Sequence, residues 1–188
     1  MKHFAILFFI FISSCCFGQN NLNPYNLQVN VLRLGDRFQI QVSYVVPLDE
    51  CQAFAFITDY EGSKNIPGII DSKVISREGN RVRVERLIEE RIMFFPISMK
   101  STVEYTETSN QELNFEQISG DTKFYKGAWH LSQDKGGTLF QYESQVEPNL
   151  LIPKFIIEYF IRNSIRKRFE KMAERASQKK SSQTLACQ

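Results

Sequence analysis

The chain has 188 residues, of which 43% are hydrophobic, 13% aromatic and 23% charged, and its formal net charge is +2. This length and hydrophobic content suit a single domain with a sizeable core, and nine glycines and six prolines are too few for a disordered or fibrous chain. The balanced charge argues against a protein that holds nucleic acid along its whole surface. Two histidines and four cysteines leave few ligands for a metal site or a disulfide framework.

Residues 1–18 are predicted to be a secretory signal peptide. A short basic start is followed by an apolar run of nine residues, Phe4–Ile12, and then by the small, mildly polar segment Ser13–Gly18. Nine apolar residues are too few to span a bilayer, which needs about 20. A buried N-terminal strand or helix is the alternative interpretation of this run.

Two modes of processing are open for this leader. Cleavage after Gly18 would release an exported domain, and this is the favoured interpretation. The segment Ile12-Ser13-Ser14-Cys15 also resembles a bacterial lipobox, in which Cys15 would be lipidated and would anchor the protein. In both cases the mature domain would lie outside the cytoplasm.

Removal of the leader takes away most candidate site chemistry. It leaves Cys51 and Cys187 as the cysteines and His130 as the histidine. The two cysteines could pair in an oxidising compartment, but the position of Cys187 next to the chain end favours two unpaired thiols. A nucleophilic site of the Ser–His–Asp or Cys–His type needs a histidine beside its nucleophile, and strand alternation places His130 on the outer face of its sheet.

The first predicted elements are a hairpin and a short helix. Residues 19–36 form a lead-in and the first hairpin strand, and alternation from Phe38 to Val46 predicts the second strand. Asp49 is a suitable N-cap for a helix that runs through about Thr58, and a second helical turn is expected after it.

A series of strands divided by turn signals follows. Their spacing of roughly ten residues predicts consecutive antiparallel pairing. The predicted strands are 69–77, 81–92, 94–106, 112–119, 123–132 and 138–147.

One long helix is predicted after Pro153, from Lys154 to about Ser177, because proline is tolerated in a first helical turn. Residues 179–188 have no periodicity and are predicted to be a disordered tail. Residues 154–180 carry nine basic and three acidic side chains, so the helix could rest on an anionic lipid surface. The alternative is a solvated helix face whose positive charge near the C-terminus favours the helix dipole.

Alternation within the strands and the helical period predict which residues face the space between the sheet and the long helix. This inner set is rich in aromatic rings with a few polar tips, which is typical of a small-molecule site. The predicted cavity lining is Phe94, Met99, Tyr105, Tyr125, Trp129, Phe140, Tyr142, Phe155, Tyr159 and Phe160.

The strand at 81–92 places two charged residues in the series expected to face inward. Val82 and Val84 begin that series, and its continuation includes Arg86 and Glu90. A buried charge is costly unless it is paired, so both would need partner side chains, water or the polar head group of a ligand. The alternative is a β-bulge that flips the register and returns both side chains to solvent.

Nine different short motifs follow one another along the chain in a characteristic order. They are Val46-Pro47-Leu48, Thr58-Asp59-Tyr60, Ile66-Pro67-Gly68-Ile69, Gly79-Asn80-Arg81-Val82, Phe94-Phe95, Gly120-Asp121, Gly127-Ala128-Trp129, Gly137-Thr138 and Glu147-Pro148. In this order they resemble the START-like, or SRPBCC, helix-grip family over residues 37–177. The resemblance is closest to the polyketide cyclase/dehydrase-like branch, which includes coenzyme Q-binding START proteins.

The resemblance implies an α+β helix-grip fold, START-like or Bet v 1-like, in which a curved antiparallel sheet wraps around a long C-terminal helix. Residues 37–178 would form the ligand-binding domain. Members of the family hold lipids, quinones, polyketides, sterols or plant hormones in a hydrophobic pocket, and some are aromatase/cyclases. The family has no universal catalytic motif, so no catalytic residue, cofactor or metal is assigned from it, and no nucleic-acid partner is expected.

The function predicted from the sequence is therefore that of an exported START-like protein that binds a small hydrophobic ligand or lipid resembling a quinone, an isoprenoid or a fatty acid. One alternative is a cyclase/dehydrase-type enzyme that acts in the same cavity, in which Arg86, Glu90 or the cavity tyrosines would provide general acid–base catalysis. A second is an interaction protein that associates with a membrane surface through its basic helix.

Overall fold

The structure is a computed structural model that describes residues 23–92 and 95–179, without the side chains of residues 92 and 95. The predicted leader, Cys15, Phe94 and the tail from 180 lie outside the described residues.

Eight antiparallel strands and two α-helices make up the described chain. The first part comprises β1 (Gln28–Leu34), β2 (Arg37–Val46), α1 (Glu50–Ile57) and a 3-10 helix (Gly62–Asn65). The second part comprises β3 (Ile69–Glu78), β4 (Arg81–Ile92), β5 (Phe95–Thr108), β6 (Glu112–Gly120), β7 (Thr122–Asp134), β8 (Gly137–Pro148) and α2 (Lys154–Lys179). Every predicted element is present, and the boundaries differ from the predictions by a few residues.

Local chemistry explains where α1 begins and ends. The Asp49 carboxylate accepts a hydrogen bond from the Gln52 backbone N–H at 2.8 Å, and the Gln52 side chain accepts one from the Asp49 N–H at 3.3 Å. This reciprocal capping box satisfies two donors that the first helical turn leaves unpaired. At the other end, the Thr58 backbone N–H and hydroxyl both donate to the Phe54 carbonyl.

The strands form one sheet in the order β1-β2-β8-β7-β6-β5-β4-β3. From β3 to β8 neighbours in sequence are neighbours in the sheet, as the turn spacing predicts. The exception is β2, which pairs with β8, from Phe38 opposite Val146 to Val46 opposite Thr138. This long-range pairing brings the first hairpin to the last strand, so that α1 and the 3-10 helix connect opposite ends of the sheet.

The long helix α2 packs against β1 and β2. Its buried residues are Ile157, Phe169, Met172, Ala173 and Ala176. They join the inner side chains of the strands in one hydrophobic core. The Tyr25 hydroxyl also lies 3.1 Å from the Ser177 hydroxyl, which ties the lead-in to the C-terminal part of α2. Together these features form the α+β helix-grip fold that the sequence predicts.

One sequence-based expectation about cysteine is wrong. Cys51 is disulfide-bonded, whereas an unpaired thiol was the favoured interpretation. All other cysteines of the chain lie outside the described residues. The expectation was based on position along the chain, which carries no information about distance in space.

A candidate ligand cavity between the sheet and the long helix

A cavity of about 280 Å³ lies between the sheet and α2, close to the lower end of the range for small-molecule sites, about 300–1,000 Å³. Its walls come from the inner faces of β4 to β8, from α1 and the 3-10 helix, and from one side of α2. Most of the wall is apolar, and it includes Ile88, Ile97, Met99, Val103, Phe160 and Ile161. The cavity therefore suits a hydrophobic ligand.

Most of the predicted lining residues do reach this cavity. Strand alternation identifies five of them correctly and the helical period identifies a sixth. They are Met99, Tyr105, Tyr125, Trp129, Tyr142 and Phe160.

Phe140 lies on the predicted inner face, but it belongs to the packed core rather than to the cavity wall. Its ring is fully buried and stacks on the Tyr44 ring, with 4.9 Å between centroids. Trp129 and Phe56 meet it edge-on. The prediction of cavity lining is wrong here because alternation distinguishes the two faces of a strand, but not the filled part of an inner face from the open part.

Phe155 and Tyr159 do not line the cavity. Their exposed fractions are 70% and 71%, so both rings lie on the solvent side of α2. The inner side is instead formed by residues such as Ile157, Ile161 and Ile165. The prediction failed because it placed the largest aromatic residues inside, whereas the aliphatic residues at i, i+4 and i+8 mark the face that packs against the sheet.

His130 lies on the outer face of β7, as alternation predicts. Its Nε2 is 4.0 Å from a Glu143 carboxylate oxygen, and nearly half of its side chain is exposed. It is not among the residues that line the cavity.

Arg86 and Glu90 both line the cavity. Strand β4 pairs with β5 without a register shift, from Arg81 opposite Thr106 to Ile92 opposite Phe95. The bulge that would have turned both charged side chains to solvent is therefore absent from this pairing, and the inward series continues through them.

Arg86 is held by two neutral groups. Its Nε donates to the Ser72 hydroxyl at 3.2 Å, and its Nη1 donates to the Tyr105 hydroxyl at 2.5 Å. The guanidinium carbon also lies 5.3 Å from the centroid of the Tyr105 ring. These contacts fix the guanidinium at the cavity wall.

Glu90 is paired with Arg168 of α2, which also donates through Nε to the Pro67 carbonyl at 3.0 Å. This ion pair joins β4, α2 and the loop before β3 at the cavity wall. Gly68 allows the contact because an added Cβ would collide with the Arg168 guanidinium and the Glu90 carboxylate. Glu90 therefore has a cationic partner within the protein.

The cavity tyrosines are protonated at neutral pH. Burial raises the pKa of Tyr105 to about 12, although the nearby Arg86 charge opposes the increase. Burial likewise raises the pKa of Tyr125 and of Tyr142, whose hydroxyl oxygens lie 3.2 Å apart. These hydroxyls can donate hydrogen bonds to ligand oxygens, which is what a mostly apolar cavity needs for orienting a polar group.

Sequence reasoning missed the lining residues contributed by α2 besides Phe160. The signal was present, because these residues recur along one helical face at intervals of three and four. They include Ile157, Ile161, Ile165, Arg168 and Met172.

Two further findings concern the described part of the chain. It contains no group of three or more histidine, cysteine, aspartate or glutamate side chains that could hold a metal ion. Within the same residues, no helix combines the length and the hydrophobicity required to cross a membrane.

Solved structures with the same fold come from several organisms. A STAR-related lipid transfer protein from Xanthomonas axonopodis has a TM-score of 0.68 at 10% identity, over 85% of this chain and 96% of that one. A protein from Thermus thermophilus has a TM-score of 0.66 at 17% identity, over 76% and 99% of the two chains. The Zhui aromatase/cyclase from Streptomyces sp. R1128 has a TM-score of 0.60 at 8% identity, over 76% of this chain and 94% of that one. At these identities the likeness shows a shared fold alone.

A search among curated proteins finds no match. A family model described as polyketide cyclase/dehydrase and lipid transport does match, over residues 46–173. The matched region runs from the end of β2 into α2, so it contains nearly all of the cavity wall. The chain therefore belongs to the polyketide cyclase/dehydrase and lipid transport family.

Proposed function

We propose that this protein is an exported carrier that binds a small hydrophobic ligand or lipid in the cavity between the sheet and α2. The observation that supports it most is the cavity itself, whose largely apolar wall is interrupted by a few polar groups. A hydrophobic molecule placed there would remove apolar surface from water, which contributes roughly 25 cal/mol per Å². Membership of a family that includes lipid transport supports the same conclusion.

Fatty acids, isoprenoids and quinones are the ligand classes to test. Each has a long apolar part, which the aliphatic wall can accept, and fatty acids, quinones and isoprenoid alcohols also carry oxygen atoms that the tyrosine hydroxyls can bind. The sequence resembles the branch with coenzyme Q-binding proteins, but neither the family match nor the similar structures single out that branch.

Ligand extraction tests the proposal directly. The purified protein is extracted with organic solvent for mass spectrometry, and thermal shifts are measured with fatty acids, isoprenoids and quinones. We expect a retained or added hydrophobic ligand in the wild type and none in Met99→Trp, where the larger ring fills the cavity. Ser98→Trp is the matched control, because Ser98 is the exposed neighbour on the same strand. An empty extract and no thermal shift with any class would contradict the proposal.

We further propose that the carrier loads at an anionic membrane surface through the start of α2. Leu151, Phe155 and Tyr159 are exposed by 108%, 70% and 71%. Arg162 and Arg166 follow Phe155 at helical intervals and keep about half of their side chains exposed. Exposed aromatic and aliphatic groups beside cations suit the interface of an anionic bilayer, and the cavity-lining Ile157 and Phe160 lie on the same segment.

Vesicle co-sedimentation separates this surface from a merely solvated helix. We expect binding to phosphatidylglycerol vesicles at low salt, weaker binding at high salt, and loss of binding in the Phe155→Ser/Tyr159→Ser double variant. Ile75→Ser, on the exposed part of β3, is the control that should bind like the wild type. Equal binding by the double variant and the wild type would contradict membrane loading.

Export is proposed from the leader at residues 1–18, with lipidation of Cys15 as its alternative. The mass of the N-terminal fragment of protein made in a bacterial host decides between them. A fragment that begins at Gln19 supports simple export, and a lipid-modified fragment that begins at Cys15 supports anchoring. An intact Met1 in the cell-associated and external fractions would contradict both.

A further inference from the structure

We infer that the ligand is an amphipathic carboxylate whose head group binds Arg86 while its hydrocarbon part lies along the apolar cavity wall. This inference rests on the proposed carrier function and narrows it to one chemical class. It follows from the way charges are paired around the cavity.

The charged residues that line the cavity differ in their partners. Glu90 pairs with Arg168, and Asp59 pairs with Lys179 at 2.6 Å. Arg86 donates to two hydroxyl groups, and no carboxylate of the described chain lies within 4.0 Å of its guanidinium nitrogens. In the described structure Arg86 is thus a partly buried cation at the cavity wall without an anionic partner.

A cation in such a position favours an anionic ligand. Removing a charge from water is costly unless an opposite charge and hydrogen bonds compensate. Neutral hydroxyls supply hydrogen bonds to Arg86 but no negative charge. An incoming carboxylate would supply that charge in a site that is shielded from solvent, where the attraction between opposite charges is stronger than in water.

The geometry around Arg86 also suits a carboxylate. A guanidinium offers five N–H donors in one plane, and its two-pronged edge matches the two oxygens of a carboxylate. The Nε and Nη1 contacts with Ser72 and Tyr105 fix that plane and leave Nη2 without a partner among the described residues. The hydroxyls of Tyr125 and Tyr142 also line the cavity and are protonated donors. They can bind further lone pairs of the same head group.

A phosphate monoester fits this set of groups less well. It carries about two negative charges near neutral pH, whereas Arg86 is one charge and the Arg168 and Lys179 cations already face carboxylates. A monoanion matches the single charge of Arg86. Two further cations line the cavity, but Lys100 is exposed, and the charge of Arg175 acts on the Asp59 carboxylate. The aliphatic wall formed by residues such as Ile88, Ile97 and Met99 then accepts the chain.

A matched set of ligands tests the inference with the full purified chain. The probes are palmitate, 1-hexadecanol and methyl palmitate, which share a hydrocarbon chain and differ in the head group. Their affinities are measured by displacement of a fluorescent probe from the cavity. We expect palmitate to bind at least about tenfold more tightly than the alcohol or the ester, because it alone brings a negative charge that pairs with the guanidinium.

Variants at two positions of β4 assign the preference to one side chain. Arg86→Gln should weaken palmitate binding at least about tenfold and leave the affinity for 1-hexadecanol nearly unchanged. Arg83→Gln is the control, because Arg83 faces outward and pairs with Glu104 at 2.8 Å, and it should leave all three affinities as in the wild type. Arg86→Lys, which keeps the charge, should retain part of the preference.

The outcomes distinguish this inference from the function on which it rests. Equal affinities for acid, alcohol and ester in the wild type would overturn the carboxylate assignment and leave the carrier function supported. That comparison does not depend on the folding of any variant. Binding of none of the three probes, together with an empty organic extract, would overturn the carrier function and the inference with it.

Discussion

The two sides of α2 face very different surroundings. On one side, which we call the packed side, the helix lies against β1 and β2. There Phe38, Tyr44, Val46 and Phe140 are 1% exposed or less. On the other, the cavity side, the inner residues Ile97 and Met99 of β5 are only half-buried, and the cavity separates them from the helix.

This difference shows how one sheet can supply both stability and a binding site. The strands that face the two sides of α2 alternate apolar and polar residues in the same way. On the packed side, the Tyr44 ring contacts the rings of Phe140, Trp129 and Phe169, which leaves little space there. Trp129 and Phe169 also border the cavity, so they lie where the two sides meet. On the cavity side an open space separates the strands from α2. We therefore expect substitutions on the packed side to change folding and those on the cavity side to change binding.

The largest expected effect is that of Phe140→Ala on the packed side. Removal of this fully buried ring leaves a hole among other rings and should lower the free energy of unfolding by about 4 kcal/mol. Met99→Ala, on the cavity side, should lower it by less than about 1 kcal/mol, because the deleted atoms border space that is already open. Urea denaturation measures both values, and similar losses at the two positions would contradict the distinction between the sides.

A second substitution acts where β7 passes close to β8. An added methyl group in Gly127→Ala would collide with the Glu143 carbonyl oxygen and the Phe115 ring, so we expect a loss of about 3 kcal/mol. Gly79→Ala is the control, since it has open space around it but a positive φ of +60°, and it should cost about 1 kcal/mol. Thermal denaturation should rank the wild type, Gly79→Ala and Gly127→Ala in that order of decreasing stability. The reverse order of the two variants would contradict the close approach.

A substitution at Tyr44 is expected to have a smaller effect, and to raise the stability of the protein rather than lower it. Its hydroxyl is buried and has no hydrogen-bond partner within the described part of the chain, and burial raises its pKa well above the ordinary value. Tyr44→Phe removes this unsatisfied group and should raise the free energy of unfolding by about 1 kcal/mol. Tyr142→Phe should not stabilise the protein, because the Tyr142 hydroxyl bonds to Tyr125. A loss of stability in Tyr44→Phe would show that the hydroxyl has a partner.

The smallest expected effect concerns Asp59, which lines the cavity and pairs with Lys179 at the end of α2. Burial opposes its ionisation, but hydrogen bonds from Lys179 and the Gly62 N–H, with the charges of Lys179 and Arg175, bring its pKa below the ordinary value. A lowered pKa in the folded state stabilises the fold above the unfolded-state pKa of about 3.9, and this contribution is lost as the pH falls through the folded-state value.

Asp59→Asn should therefore destabilise the protein by about 0.5 kcal/mol at pH 7, since the pair is partly exposed and screened by solvent. The difference from the wild type should shrink as the pH falls below about 4. Guanidinium denaturation at pH 7, 5 and 3 measures this difference in the free energy of unfolding. A difference that grows towards low pH would contradict the lowered pKa of Asp59.

The sequence was most informative where the signal is local. Asp49 caps α1 as predicted, and Pro153 precedes the first turn of α2. Period-two alternation also placed Met99 and Tyr125 on the cavity wall and His130 on the outer face. These features depend only on residues that are close together in the chain, so they can be predicted from the sequence.

The prediction was least reliable where distant segments meet. The face of α2 was misassigned at Phe155 and Tyr159 because their hydrophobicity was weighed without knowledge of the sheet opposite them. Phe140 was placed in the cavity because nothing in the β8 sequence reveals that the Tyr44 ring covers it. The Glu90–Arg168 pair joins residues 78 positions apart, and no local pattern links them.

Residue order was enough to predict the secondary structure and the helix-grip architecture, whereas the inward direction of Arg86 was decided by the regular pairing of β4 with β5. The secondary structure and the architecture follow from periodicity, capping and a family resemblance that extends along most of the chain. Which inner residues fill the core, which border open space and which charges find partners depended on the arrangement of α2 over the sheet. That arrangement is set by the packing of residues far apart in the chain, so Arg86 could be recognised as a cation without an anionic partner in the cavity wall only when all its neighbours were in place.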